Sequence, residues 1–364
     1  MTGIKLHVVF LLEPTIVQGN VSLYAHHFRN KIVNSPKKGI IKLKLKRINN
    51  TEKTVLKRTC LDLIKTGLEV LAKEAAVLRD KNFGSTIDLC SVVNAKSGKC
   101  SEDCKYCAQS AHYKTDLECY PLIKAEDIYS SALKAVDAGI NNFGIVTSGP
   151  GLTEQDLDQI CEAVEKISRN GIISPCASLG RLTSKQFNKL KAAGLKRYHH
   201  NLETSERFYP EICTTHTWKE RVETVFLAKE AGFDVCSGGL FGLGENWEDR
   251  IDLAITLKEL DVNCVPINFL NAIPGTPMDV QEKLTPDEAL KIVALFRYIL
   301  PNKTIRVCGG RPTILKERQN EMYHAGANAI MTGDYLTSYG ISPELDIKMI
   351  SELGLNVKKP FSSF

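Results

Sequence analysis

The 364-residue sequence contains no apolar run that approaches the roughly 18 residues needed to span a membrane. The nearest candidate, residues 8–12, is too short, and no convincing cleavage site follows it. We therefore expect neither a membrane segment nor a signal peptide, and the sequence shows no Ser-rich amphipathic targeting pattern. Twelve cysteines without a secretory signal favour a reducing compartment, so we expect a cytoplasmic protein whose thiols serve metal chemistry instead of disulfides.

Beyond the N-terminal residues the sequence has no excess of positive charge. Residues 1–58 hold twelve Lys/Arg and two Asp/Glu, whereas the remaining residues hold 35 and 40. The main part of the chain is therefore slightly acidic and lacks the basic surface of a nucleic-acid-binding protein. Residues 1–50 show no sustained hydrophobic periodicity. We expect them to form a basic, poorly ordered extension, more typical of a solvated tail than of an anion-binding arm.

A zinc-site spacing is also missing, although Cys100, Cys104 and Cys107 fall within one short stretch. A zinc ribbon needs a second Cys pair about 15–20 residues further on, and only Cys119 follows. Iron–sulfur clusters are the other thiolate-rich sites, and they are usually held by four Cys. Three Cys on a four-iron cluster would leave one iron open, and an open position is typical of catalytic metal sites. A non-catalytic iron–sulfur or zinc-binding module is the alternative.

The remaining chain alternates between strand-like and helix-like segments. Helical spacing predicts N-terminal helices over residues 51–85, and eight strand–helix units predict a parallel (β/α)8 TIM-type barrel over 86–340. A C-terminal helix and tail are predicted over 341–364, and a doubly wound sheet is the alternative architecture. The predicted strands are residues 87–93, 142–146, 172–178, 196–201, 234–238, 265–270, 304–307 and 327–331. The predicted helices begin near Lys124, Glu154, Ser184, Thr217, Trp247, Pro286, Thr313 and Pro343.

The run from Cys100 to Tyr113, CSEDCKYCAQSAHY, resembles the biotin synthase family of radical S-adenosylmethionine enzymes. The resemblance extends from about Ser85 to Gly340. It implies a 4Fe-4S cluster on the three loop cysteines, whose open iron binds S-adenosylmethionine and whose electron releases a 5′-deoxyadenosyl radical. It also implies sulfur insertion into dethiobiotin, a flavodoxin- or ferredoxin-type electron donor and a homodimer. A hydrogenase-cofactor maturase or a methylornithine-synthase-like enzyme, which inserts no sulfur, is the alternative within the superfamily.

Several candidate binding residues follow the predicted strands, as expected at the functional end of a barrel. Neighbouring His199 and His200 should point to opposite faces of their strand and so should not share a metal ion. The buried amide of Asn268 needs a partner, which the ureido ring of the substrate would supply. The resemblance implies that His199 and Asn268 lie near the substrate. It implies that S-adenosylmethionine is bound by Tyr106, Thr147, Ser148, Gly149, Asn201, Glu203 and Leu240.

A second cluster supplies the sulfur in the family, and the resemblance places it on Cys176, Cys236 and Arg306. Gly144 stands where the family has the remaining Cys, and glycine cannot bind iron. Cys308 lies two residues after Arg306 and therefore on the same face of its strand. We expect an auxiliary cluster, 2Fe-2S or a four-iron variant, on Cys176, Cys236 and Cys308 with Arg306. The alternative is that Cys308 is a small buried hydrophobe. The structural or exposed thiols are expected to be Cys60, Cys90, Cys119, Cys161, Cys213 and Cys264.

Overall fold

The structure, a computed structural model, describes residues 48–171 and 173–359. The predicted extension over residues 1–50 lies almost entirely outside this part of the chain. Two helices come first, α1 (Asn50–Lys65) and α2 (Leu68–Phe83). A capping box begins α1, because the Asn49 side chain accepts from the Glu52 backbone N–H while the Glu52 carboxylate accepts from Asn49.

A closed parallel barrel follows, and its strands agree closely with the predicted ones. The strands are β1 (Thr86–Lys96), β2 (Asn142–Thr147), β3 (Ser174–Ser178), β4 (Arg197–His199), β5 (Asp234–Cys236), β6 (Gly239–Phe241), β7 (Cys264–Phe269), β8 (Thr304–Val307) and β9 (Ala329–Met331). Strand β1 pairs with both β2 and β9, which closes the barrel. The (β/α)8 prediction is confirmed, and the doubly wound sheet is wrong because this sheet has no break between its first and last strands.

Helices cover the outside of the barrel and mostly begin where their capping residues predict. They are α3 (Ala125–Asp137), α4 (Glu154–Asn170), α5 (Ser184–Ala192), α6 (Trp218–Glu230), α7 (Trp247–Glu259), α8 (Pro286–Ile299), α9 (Arg311–Leu315), α10 (Glu321–His324) and α11 (Pro343–Glu352). Threonines 153, 183, 217 and 285 each accept a backbone N–H from the first turn of the following helix, which fixes its start. Within the described residues, no helix is long and apolar enough to cross a membrane.

Four details differ from the predictions. The fourth strand ends at His199, two residues early. The fifth strand is divided into β5 and β6, and between them the Gly238 N–H donates to the side-chain oxygen of Asn201 at 3.1 Å. The seventh helical segment begins at Arg311 and is divided into α9 and α10. The predicted C-terminal tail contains a further strand, β10 (Asn356–Val357), which pairs with the start of β1.

The hydrophobic core lies between the barrel and its helices. Aromatic rings pack edge to face across this layer, for example Phe187 against Tyr198 and Phe241 against Phe296. An ion pair between Arg311 and Asp346, both completely buried, joins α9 to α11. The inside of the barrel is different in character, because thiols, amides and guanidinium groups line it. The barrel interior therefore holds the side chains that could bind a metal or a polar ligand.

Candidate active site

A cavity of about 420 Å³ opens at the carboxyl ends of the strands and extends into the barrel. The structure brings all of the predicted site residues to its wall, although they come from seven separate stretches of the sequence. These residues are Cys100, Cys104, Tyr106, Cys107, Thr147, Ser148, Gly149, Cys176, His199, Asn201, Glu203, Cys236, Leu240, Asn268, Arg306 and Cys308. Cavities at this end of a (β/α)8 barrel are where active sites of the fold are found.

The loop after β1 holds three thiols at the cavity mouth. Its shape is fixed by its own backbone, since Cys100 N–H donates to Gln109 O at 2.9 Å and Ala111 N–H donates to Cys100 O at 2.7 Å. Cys107 N–H closes a turn on Cys104 O at 3.0 Å. Cys119 is exposed and does not line the cavity. Three thiols held on one ordered loop fit an iron–sulfur cluster with one position left open.

A small polar group lies behind Cys104 and was missed by the sequence reasoning. The Cys213 Sγ atom is 3.7 Å from Cys104 Sγ, and His216 Nδ1 is 3.3 Å from Cys213 Sγ. Ligand atoms of these three residues lie within 4.8 Å of one another, so they could hold a metal ion, but Cys104 also belongs to the loop set. Cys213 was expected to be structural or exposed and is buried. The C-x-x-H spacing of Cys213 and His216 was the available signal.

Asn201 and Glu203 lie close together at the cavity mouth, and Arg221 contacts both of them. The Arg221 guanidinium donates to Asn201 O at 2.9 Å and approaches Glu203 Oε1 at 3.7 Å. Burial raises the pKa of Glu203, and the Arg221 charge opposes that shift. Glu203 also adopts a left-handed backbone conformation, with φ at 68°. An amide and a carboxylate held rigidly together suit a pair of hydroxyl groups, and Arg221 is a supporting residue that the sequence did not reveal.

The segment after β2 is tied to the cysteine loop. Ser148 N–H donates to Lys96 O at 2.9 Å, and Ser148 Oγ donates to Gly98 O at 2.8 Å. The buried hydroxyl of Thr147 has no hydrogen-bond partner among the described residues. A buried hydroxyl usually has a partner, so this one is a candidate to meet a ligand. Gly149 has φ at 108°, which brings backbone instead of a side chain to the cavity wall.

The two adjacent histidines both contribute to the cavity lining. Strand β4 ends at His199, so the two-residue alternation does not extend to His200. Burial lowers the pKa of His199 to about 4, and the charges of Arg306 and Arg221 act in the same direction. The His199 imidazole is therefore neutral near pH 7. A neutral ring can donate one hydrogen bond and accept another.

The amide of Asn268 has backbone partners on both sides. Its Nδ2 donates to Gly239 O at 3.2 Å, and its Oδ1 accepts from Gly309 N–H at 3.1 Å. The protein itself therefore supplies part of the partner set that was expected to come from the ureido ring of the substrate. One N–H and one lone pair remain for a ligand.

The cavity floor carries a second group of thiols. Cys176, Cys236 and Cys308 are buried there as predicted, and Cys90, expected to be structural, lies with them. Burial raises the pKa of Cys176 to about 12. Thiols buried beside arginine side chains are a donor set that suits an iron–sulfur cluster.

Two arginines, Arg197 and Arg306, are closely associated with the floor thiols. Both lower the pKa of Cys90, although burial raises it more. The Nε groups of Arg197 and Arg306 have no partner within residues 48–171 and 173–359. Such buried N–H donors are available to sulfide or thiolate acceptors, so they also fit a cluster at this position.

Comparison with known proteins agrees with this arrangement. Residues 95–257 match the radical SAM superfamily, and residues 266–356 match the biotin and thiamin synthesis associated domain. The biotin synthase of Trichlorobacter lovleyi is 49% identical over 80% of this chain and 88% of its own length. The biotin synthase of Geobacter sulfurreducens is 48% identical over 81% and 90%. That of a Clostridium botulinum strain is 46% identical over 83% and 95%.

Solved structures share the architecture at much lower sequence identity. A methylornithine synthase superposes with a TM-score of 0.73 at 19% identity, covering 84% of this chain and 94% of its own. The hydrogenase maturase HydG from Carboxydothermus hydrogenoformans superposes with a TM-score of 0.71 at 18% identity, covering 86% and 81%. These two matches support the fold alone. Because the relatives that share nearly half of its residues over most of its length are biotin synthases, the chain belongs to the biotin synthase family of radical S-adenosylmethionine enzymes.

Proposed function

We propose that this protein converts dethiobiotin to biotin by radical-mediated insertion of sulfur between two unactivated carbon atoms. The observation that carries the proposal is a single cavity with thiols at its mouth and more thiols on its floor. The relatives named above, all biotin synthases, support the same activity. The alternative, an enzyme of this superfamily that inserts no sulfur, would leave the floor thiols without a use. The structures that bear such names share only the fold.

We assign a 4Fe-4S cluster to Cys100, Cys104 and Cys107, and an auxiliary cluster to Cys176, Cys236 and Cys308 with Arg306. When bound, the first group with S-adenosylmethionine supplies a 5′-deoxyadenosyl radical, and the second supplies the sulfur. In the overall reaction two C–H bonds are broken and two C–S bonds form, and each hydrogen atom leaves as 5′-deoxyadenosine. The protein residues bind, orient and shield these groups.

The residues at the cavity mouth are proposed to hold S-adenosylmethionine. The free hydroxyl of Thr147, with Ser148 and Gly149, would meet its amino group. The side chains of Asn201 and Glu203 would form hydrogen bonds with the two ribose hydroxyls. Arg221 holds both residues in place for this contact. Leu240 and Tyr106 line the same wall and would contact the adenine. Fixing the ligand in this way would direct the reactive carbon toward the substrate.

The substrate is proposed to lie between the two thiol groups, against His199 and Asn268. The neutral imidazole of His199 can bond a polar group without charging it. The remaining N–H of Asn268 would donate a hydrogen bond to the ureido carbonyl of the substrate, which is an acceptor. Enclosure in the barrel would keep water and other hydrogen donors away from a carbon radical. A flavodoxin- or ferredoxin-type protein is proposed as the electron donor, and a homodimer in the cytoplasm as the working form.

The test is an assay on anaerobically purified and reconstituted protein with dethiobiotin, S-adenosylmethionine and a chemical reductant. We expect both 5′-deoxyadenosine and biotin. Deoxyadenosine without biotin would favour the enzyme without sulfur insertion, and neither product would favour a non-catalytic metal-binding module. Cys308→Ser should leave deoxyadenosine formation in place and stop biotin formation, because it removes a floor thiol and leaves the loop intact. Biotin formation by this variant would contradict the assignment of Cys308.

A further inference from the structure

The polar group behind Cys104 joins two distant parts of the chain. Cys213 lies 109 positions after Cys104, and His216 follows three residues later. All three side chains are buried, and their ligand atoms lie within 4.8 Å of one another. Thiolate and imidazole groups are the ligands that zinc prefers in proteins. The C-x-x-H pair therefore supplies, from a distant segment, the further zinc ligands that the sequence around the loop lacks.

The distances between these atoms match the edges of a zinc tetrahedron. With Zn–S bonds of about 2.3 Å, two thiolate sulfurs on one tetrahedral zinc ion lie about 3.8 Å apart. The Cys104 and Cys213 sulfurs are 3.7 Å apart. With a Zn–N bond of about 2.0 Å, a zinc-bound sulfur and nitrogen lie about 3.5 Å apart. The His216 Nδ1 atom is 3.3 Å from Cys213 Sγ, so one zinc ion can bind all three atoms with little movement of the side chains.

The residues next to the two thiols in sequence bind each other across the gap between the two segments. The Asp103 Oδ1 atom accepts from the Thr214 N–H at 2.9 Å. On the other side, the Lys105 N–H donates to Ile212 O at 2.9 Å. Each of the two thiols is therefore flanked on both sides by a contact to the other segment. This arrangement positions the thiols before a metal ion arrives.

The ring of His216 is oriented to bind a metal ion through Nδ1. Its other nitrogen, Nε2, lies 2.7 Å from the Tyr209 hydroxyl oxygen, so it can carry the ring proton and donate to that oxygen. Metal-bound histidines usually have such a partner, which fixes the tautomer. Nδ1 also contacts Glu102 Oε2, and Arg181 Nη2 donates to the other oxygen of that carboxylate at 3.2 Å. The fourth zinc position is therefore on the Glu102 side, for its carboxylate or for a water molecule.

Cys104 belongs both to this group and to the loop set of three thiols. One thiolate at this place cannot serve a zinc ion behind the loop and the cluster in front of it at the same time. A site of nitrogen and sulfur ligands binds zinc more tightly than ferrous iron. Zinc should therefore have the advantage at Cys104 whenever the loop holds no cluster.

We propose that Cys104, Cys213 and His216 bind a zinc ion when the loop holds no cluster, and that zinc bound there excludes the 4Fe-4S cluster. Zinc replaces the protons of the two thiols, which are released to solvent, and no oxidation state changes. The zinc site itself goes beyond the proposed function. Only the exclusion rests on that function, through the assignment of Cys104 to the radical cluster.

The first test uses the full chain with Cys100→Ala and Cys107→Ala, which keeps Cys104 and removes the other two loop thiols. The protein is freed of metal with a chelator, kept reduced without added thiol, and loaded with one equivalent of zinc. X-ray absorption should show two Zn–S bonds of about 2.3 Å and the outer-shell scattering of an imidazole ring. Three or four sulfur ligands, or the absence of imidazole, would overturn the proposal.

Substitutions in the same background identify the ligands. Zinc affinity is measured by competition with a chelating dye. Adding Cys213→Ala or His216→Ala should lower it by more than about 100-fold, because losing a ligand exceeds the 10–100-fold effect of losing a ligand's own hydrogen-bond partner. Adding Cys161→Ala, a thiol buried to a similar extent on α4, should leave it unchanged. An unchanged affinity in the Cys213→Ala protein would overturn the proposal.

Thermal melting separates a lost ligand from a damaged fold. A metal ion that binds the folded state raises its melting temperature. Zinc should therefore raise the melting temperature of the parent and of the Cys161→Ala protein, and leave that of the Cys213→Ala protein unchanged. Equal stabilisation of all three proteins by zinc would count against the site.

The exclusion is tested in the chain with all three loop cysteines. Iron and sulfide are reconstituted with and without one equivalent of zinc. The readouts are 5′-deoxyadenosine formation and the EPR signal of the reduced cluster that changes when S-adenosylmethionine is added. Zinc should lower both several-fold in the unsubstituted protein. The Cys213→Ala protein, compared with itself without zinc, should lose little of either, and an equal loss in both proteins would contradict the exclusion.

Failure of this inference is distinguishable from failure of the proposed function. The zinc measurements use a chain that lacks two of the three loop thiols and need no catalysis, so they are decided whether or not the protein forms biotin. If the unsubstituted protein forms biotin and the Cys213→Ala substitution leaves zinc affinity unchanged, the zinc site fails and the proposed function stands. If zinc binds as proposed and the unsubstituted protein forms no biotin, the proposed function fails and the zinc site stands.

Discussion

Replacing any one of Cys100, Cys104 and Cys107 by Ala should abolish 5′-deoxyadenosine formation without unfolding the protein. Each variant removes one of the three loop thiols that line the cavity in the described part of the chain, and Cys119, which follows in the same loop, does not line it. Two thiolates should be too few to retain the cluster that cleaves S-adenosylmethionine. The expected result is therefore loss of activity to the background of the assay in all three variants.

The cost in stability can be worked out from the positions of the three side chains. Cys104 is buried, and Cys100 and Cys107 are half-buried, so each variant removes one sulfur atom from a largely enclosed place. Loss of one such group costs about 1 kcal/mol, against a total stability of roughly 5–15 kcal/mol. Cys104→Ala should be the most destabilising, because it also leaves Cys213 without the contact at 3.7 Å. The melting temperature should fall by only a few degrees.

The assay compares deoxyadenosine by chromatography, bound iron and thermal melting by circular dichroism. Cys119→Ala is the matched control, because this exposed thiol follows in the same loop but lies away from the cavity. The control should keep full activity and iron. Deoxyadenosine formation by any one of the three variants, at a rate near that of the control, would refute the assignment of the loop site.

Three further predictions concern other parts of the chain. Deleting residues 1–47 leaves the Asn49 cap of α1 in place. Biotin formation should stay within a few-fold of that of the full chain, because no proposed site residue is removed. A folded but inactive truncation would contradict this. Asp346→Asn should lower the free energy of unfolding by about 3–5 kcal/mol in a denaturant titration, because it leaves the buried Arg311 charge without its partner. Glu344 is an exposed acid on the same helix, and Glu344→Gln should change the free energy of unfolding little. His199 has its pKa lowered from 6.5 to about 4, so the unfolded state binds more protons between these values and the His199 contribution to stability is lost as pH falls through that window. His199→Asn should therefore flatten the decline in stability below pH 6.5 and leave the pH profile of deoxyadenosine formation unchanged between pH 7 and 8. If the substitution removes an ionisation from that range, the imidazole titrates there and the lowered pKa is wrong.

Local sequence determined the chemistry of the loop and much of the barrel. The spacing of Cys100, Cys104 and Cys107 is a property of consecutive residues, and it indicated an iron–sulfur site directly. Threonine caps before helices and β-branched runs between them are likewise short-range signals, so the eight repeating units could be counted without a structure. Residues at the ends of these strands could then be assigned to one face of a barrel.

Tertiary structure decided which distant residues meet. Cys90 and Arg306 lie more than two hundred positions apart, and only closure of the barrel brings them to the lining of one cavity with Cys176 and Cys236. The ion pair of Arg306 with Asp88 and the contact of Cys104 with Cys213 likewise join segments far apart in sequence. Strand β10 likewise forms only because the distant start of β1 offers it a pairing partner. The physical reason is that strand tilt and closure are set by packing around the whole barrel, whereas local residue patterns specify only each strand and the faces of its side chains.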